Sequence, residues 1–224
     1  MNNQQNLSSV SLPVLYSFRR CPYAMRARLA IAAAGLQVVL REVVLKDKPK
    51  ALLAISPKAT VPVLQTSDSV LEESQDTALW AFQQSDPAGF WQPLTAEQQQ
   101  LTLSLIAETD GDFKEALDRY KYADRYPEKS QLSYRQQGET FLAKLEQRLS
   151  RQSFLITQQP TLADIAVMPF IRQFAMVDQN WFNHADYPQL QRWLNSFLQS
   201  AIFKRIMQHY PQWQPGDEAV LFPD

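Results

Sequence analysis

Residues 86–93 split this chain into two stretches of different periodicity, and that split limits the available folds more than any other feature. Asp86-Pro87-Ala88-Gly89 and Gln92-Pro93 concentrate residues that end regular structure, because proline has no amide hydrogen and glycine tolerates angles that side chains forbid. Before the break, short β-type runs alternate with helical ones. Strands are expected over 13–18, 38–44, 61–65 and 70–72, and helices over 23–34, 49–55 and 74–84, with Gly35 closing the first helix. The order is βαβ followed by ββα. Beyond Pro93 the apolar spacing is helical, over 95–120, 130–151, 161–174 and 187–208. The expected architecture is α+β in two domains, a mixed domain over 11–86 and an all-α domain over 94–224. At 224 residues the chain can bury one sizeable core or two modest ones.

Charge and composition remove several classes of function. A formal net charge of −1 gives no whole-protein field for nucleic acid or an anionic membrane. No apolar run approaches the roughly 20 residues that cross a bilayer. The opening Met1-Asn2-Asn3-Gln4-Gln5-Asn6 is polar and uncharged, unlike a secretory signal. Cys21 is the single cysteine, so an internal disulfide is impossible and a reducing, cytoplasmic setting is expected. His184 and His209 lack partners at ligand spacing, so no metal site is predicted. No internal repeat, glycine-rich phosphate loop or low-complexity tract is present.

Cys21 stands between the apolar run 13–18 and the helical run that starts at Pro22-Tyr23-Ala24. Proline suits the first helical position, where its missing N–H would be unpaired anyway, and this puts Cys21 at about the N-cap. The free amides of the first turn, the helix dipole and the nearby Arg19, Arg20 and Arg26 all favour thiolate over thiol. A depressed pKa is therefore expected for Cys21. Ala24 stands where a second cysteine would complete a dithiol motif, so this thiol can exchange only with an external partner. Thr161-Leu162-Ala163-Asp164 is a near capping box ahead of an apolar helix, and its reading is structural.

These segments resemble the cytosolic glutathione transferases, most closely the omega class and its bacterial omega-like relatives. The match rests on Cys-Pro-Tyr-Ala at 21–24, Leu-Lys-Asp-Lys-Pro at 45–49, Thr-Val-Pro-Val-Leu at 60–64, Glu-Glu-Ser at 72–74, and the 161–164 cap with its Ala-Asp-Ile core. The resemblance implies a thioredoxin-like first domain that binds glutathione as cosubstrate. In that family Pro62 is a cis-proline beside the thiol, and the Val61 backbone pairs with glutathione like an added strand. Glu73 and Ser74 take the γ-glutamyl ammonium and carboxylate at a helix start. Tyr23 belongs to the same motif, and Lys48 reaches the glycyl carboxylate with Lys58 as its competitor. A homodimer is also implied.

Chemistry in this family depends on the nucleophile. A cysteine at this position forms a mixed disulfide with glutathione and yields it to a second glutathione, giving thiol transferase, dehydroascorbate reductase or deglutathionylation activity. The expected partners are glutathione and a small disulfide or electrophilic substrate. Two alternatives stay open at this point: a conjugating transferase using Tyr16 or Ser17, and a non-enzymatic glutathione-binding or regulatory module. The acceptor compartment is expected along the first long helix of the second domain, near Asp110, Phe113, Arg119, Tyr120 and Tyr122. Trp181, Phe182 and Trp193 read as core.

Overall fold

The computed structural model describes residues 12–224. The polar segment 1–6 and the first residue of the expected mixed domain lie outside the described residues. Strand β1 (Val14–Ser17) leads to helix α1 (Pro22–Ala33), and β2 (Val38–Glu42) returns parallel to β1 with Val14 opposite Val39. Helix α2 (Lys50–Ile55), strands β3 (Val63–Gln65) and β4 (Val70–Leu71), and helix α3 (Ser74–Gln84) follow. β3 pairs antiparallel with β1, and β4 antiparallel with β3.

Strand alternation distributes side chains to two faces of this sheet. Leu15, Val38, Leu40 and Leu64 enter the main core with α1 and α3, whereas Tyr16, Val43 and Val63 join Leu52 of α2 in a smaller cluster on the opposite face. Both clusters are buried, so a slip of one residue in β1 would exchange their contents.

The helical domain holds α4 (Ala96–Glu108), α5 (Lys114–Lys121), α6 (Gln131–Leu149), α7 (Leu162–Ala175), α8 (Gln179–His184), α9 (Pro188–Gln199) and α10 (Ala201–Ile206). The helix expected over 95–120 is broken by a π-helical segment, Thr109–Phe113, in which Gly111 leaves helical angles at φ −93° and ψ −109°. The run expected over 187–208 is likewise divided at Ser200, which is extended and whose hydroxyl caps α10 at Phe203. Helix α7 is buried on nearly every side and forms the centre of the domain. α6 approaches it closely at Gly138, where a Cβ would lie 2.4 Å from the Phe174 ring.

Asp164 explains why the cap of α7 is so well specified. Its carboxylate, fully buried, accepts from the Thr161 amide at 2.8 Å, the Thr161 hydroxyl at 2.9 Å, the Leu155 amide at 2.9 Å and the Trp193 indole at 2.9 Å. Trp193 and Phe182 are buried as expected, and Trp181 is half-buried against Phe174.

Neither the short helix α8 nor a strand near the C-terminal end was anticipated from the sequence. After α10 the chain crosses back to the first domain, where the Trp213 amide donates to the Glu42 carbonyl at 2.9 Å and β5 (Val220–Phe222) pairs antiparallel with β2. The sheet thus has five strands in the order β4-β3-β1-β2-β5. The second stretch supplies an all-helical domain and, in addition, this edge strand for the first.

Candidate active site

Cys21 occupies the N-cap of α1 with an extended backbone, and Pro22 takes the first helical position. Its sulfur faces the amides of Tyr23 and Ala24, and its thiol donates to the Val61 carbonyl at 3.6 Å. The Val61-Pro62 peptide is cis. Two motifs about 40 positions apart in sequence therefore meet at one sulfur.

The electrostatics correct the sequence expectation of a depressed pKa. Burial raises the Cys21 pKa above the ordinary thiol value, because a thiolate in this setting loses more hydration than its neighbours return. The two amides, then Lys114 and Arg26, pull the other way and are outweighed. Arginine counting misled here for a structural reason. The Arg26 guanidinium is fully buried and committed to Asp110, Ser74 and the Ala166 carbonyl. Arg19 donates to the Met207 carbonyl at 3.2 Å, and Arg20 is exposed over the Phe18 ring.

Ser74 opens α3 and is buried, with its oxygen accepting from Arg26 at 3.1 Å. A hydroxyl that accepts in this way keeps its own hydrogen free to donate outward. Glu73, the N-cap of α3, is exposed and binds Lys58 at 2.8 Å. Lys58 is thereby engaged. Lys48 is half-buried and follows the Val44–Asp47 bridge, a loop that Gln212 fastens by donating to the Asp47 carbonyl at 3.2 Å and its carboxylate at 2.9 Å. Tyr23 stacks edge-on against Phe170, and burial, with Asp110 second, pushes its phenol up to about 12.

A cavity of about 400 Å³ opens at Cys21 between the two domains. Phe18, Leu45 and Tyr23 line one wall, and Lys114, Asp118 and Tyr122 line the other. Of the five residues expected along this compartment, Tyr122 alone lines it. Asp110 is held by Arg26, Phe113 and Tyr120 are buried in the helical core, and Arg119 pairs with Glu115 at 2.5 Å. Asp118 lies in the charged and aromatic run 117–126 that the sequence also offers for this compartment, whereas Lys114 was missed, although its i, i+4 spacing from Asp118 on α5 was an available signal.

The alternative hydroxyls point elsewhere. Ser17 is fully buried and its oxygen accepts from Arg28 at 2.8 Å, while the Tyr16 hydroxyl is bound by Arg41 beneath Trp213. Neither residue lines the cavity at Cys21. Among the described residues no group of three or more His, Cys, Asp or Glu side chains could hold a metal, and no helix is long and apolar enough to cross a membrane.

Known proteins share the domain order and the fold. Residues 15–89 match the model of the glutathione S-transferase N-terminal domain, and residues 105–201 match that of the glutathione S-transferase C-terminal domain. Glutathione S-transferase omega-1 of Mus musculus is 23% identical over 193 residues, covering 84% of this chain and 77% of that protein. A probable glutathione transferase of Aplysia californica is 43% identical over 56 residues, which span 25% of this chain and 61% of that protein. A solved glutathione transferase family member from Pseudomonas fluorescens pf-5, with two glutathione bound, shares the fold with a TM-score of 0.75 at 17% identity, over 90% of this chain and 95% of that one. A glutathione S-transferase from Rhodospirillum rubrum F11 does so with a TM-score of 0.73 at 20% identity, over 89% of this chain and 94% of the other. With both domain models matched in order across a thioredoxin-like sheet and a helical domain, the chain belongs to the glutathione S-transferase family and is a glutathione transferase enzyme.

Proposed function

We propose that this transferase is of the omega-like type and catalyses glutathione-dependent thiol–disulfide exchange through Cys21. The observation that carries this reading is the position of the only cysteine, at the N-cap of α1, beside the cis Val61-Pro62 peptide and open to the cavity between the domains. The Cys21 thiolate attacks the glutathionyl sulfur of a disulfide. A Cys21–glutathione disulfide forms, the other thiolate leaves and takes up a proton, and a second glutathione thiolate then releases glutathione disulfide and regenerates Cys21. The engagement of Tyr16 and Ser17 away from the cavity supports this reading over conjugation through a hydroxyl.

Glutathione binding is assigned to the same surface. The Val61 backbone takes the cysteinyl segment, the Ser74 hydroxyl and the start of α3 take the γ-glutamyl carboxylate, and Glu73, while still paired with Lys58, faces the ligand ammonium. Pro62 and Tyr23 shape the pocket floor, and Lys48 meets the glycyl carboxylate. A homodimer and a cytoplasmic location are part of this proposal, on family likeness.

Intact mass after incubation with glutathione disulfide, then with reduced glutathione, tests it. Gain of one glutathionyl group and its release are expected, and both should vanish in Cys21→Ser. A thiol that stays unmodified overturns the reading.

A further inference from the structure

A second cavity of about 390 Å³ adjoins the one at Cys21 and shares Arg20, Lys121 and Gln173 with it. Arg172, Met176 and Val177 from the end of α7 and just beyond complete its wall. The charges around the joined space are unequal. Arg20, Lys114, Lys121 and Arg172 are cations, Asp118 is the one carboxylate, and Lys114 already binds it. Among the described residues, Arg20, Lys121 and Arg172 pair with no carboxylate, and residues 1–11 contain none. Arg172 is half-buried over the Phe203 ring, and its pKa is lowered, first by burial and then by the neighbouring Arg19. A cation that has lost hydration beside like charge gains from an incoming anion.

Gln131 and Gln173 are the neutral polar part of the lining, and the remainder is largely apolar or aromatic, with Phe18, Tyr23 and Tyr122 near the thiol and Met176 and Val177 further along. We propose that this joined trough selects acceptors whose leaving thiol carries an aromatic or apolar body ending in an anion, the anion being held by Arg20, Lys121 and Arg172. This rests on the Cys21 exchange reading and names its substrate class. In the step, Cys21 sulfur bonds to the glutathionyl sulfur, the disulfide between glutathione and the aromatic thiol breaks, and the departing aryl thiolate leaves with the electron pair while its distal anion stays on the basic wall.

The test compares the mixed disulfides of glutathione with 4-mercaptobenzoate and with 4-mercaptobenzamide, which differ in charge at the far end of the ring. The benzoate should be favoured in kcat/KM by roughly tenfold or more, in line with a charge-assisted contact. That preference should shrink as salt is raised and in Lys121→Gln/Arg172→Gln, through a fall in the benzoate rate. Equal rates for the two substrates, or a preference that ignores both salt and the double substitution, would overturn the proposal. A binding arm separates this from the exchange chemistry: Cys21→Ser titrated by calorimetry with 4-(methylthio)benzoate and its amide should prefer the acid by a similar factor. If both disulfides are inert yet the acid binds better, the exchange reading fails and the anion trough stands. If the acid and amide bind alike, the trough fails whatever the chemistry.

Discussion

The Arg26 guanidinium donates to both carboxylate oxygens of Asp110, at 2.7 and 2.8 Å, and so clips α1 of the sheet domain to the break between α4 and α5. The same group supports Ser74, so one buried cation ties the interface of the domains to the start of α3. Removing the carboxylate leaves that cation without compensation. Asp110→Ala should therefore lower stability by about 3 kcal/mol in urea unfolding and weaken glutathione binding through Ser74. Adding Arg26→Met to that variant should recover part of the stability, and two additive losses in the cycle would show that the pair is not coupled.

Cys21 should titrate late. With its pKa raised by burial, the alkylation rate by iodoacetamide should still be climbing above pH 9 in the glutathione-free enzyme. Lys114→Met removes a charge that lowers this pKa and should shift the profile further to alkaline pH. The stability link has a definite sign: the folded state holds the proton to higher pH than the unfolded chain, so this contribution is present below the unfolded thiol pKa and lost as pH rises through the folded one. A profile that levels off near neutrality would refute the assignment.

Lys48 and Lys58 should differ in their effect on glutathione affinity. Lys58 is already bound to Glu73, whereas Lys48 sits on the loop that Gln212 holds. Lys48→Ala should raise the KM for glutathione by roughly tenfold, as expected for loss of a charge-assisted contact. Lys58→Ala should change it far less, and the reverse ranking in steady-state kinetics would move the glycyl carboxylate to Lys58.

Asp164→Ala should be among the most damaging substitutions in the helical domain. It strands the Leu155 and Thr161 amides and the Trp193 indole, each a buried donor, at a combined cost of about 3–5 kcal/mol. Thermal unfolding measures this directly, and a loss under about 1 kcal/mol would mean that other acceptors replace the carboxylate.

Much of the fold was legible because local signals agree with tertiary ones. Pro22 and Gly35 bracket α1, and the alternation in 14–17 sorts Leu15 and Tyr16 to opposite faces. β5 was not legible: three residues next to a proline carry no period, and their partner lies in β2. Nor was the breaking of the long helices at Gly111 and Ser200, since a single glycine or serine is tolerated in many helices. Cys21, Val61, Pro62 and Ser74 could be singled out as candidate site residues because each belongs to a short motif. The raised thiol pKa and the commitment of Arg26 could not, because desolvation and a partner 84 positions away are properties of packing.

The pairing of β5 with β2 makes the two domains poor cassettes for exchange between relatives. A chimera that joined residues 12–86 to another transferase's helices would either import a foreign edge strand or leave the outer edge of β2 bare, and bare edges recruit other chains. Shuffling of this sequence should therefore treat 207–224 as part of the sheet domain and graft the two segments together.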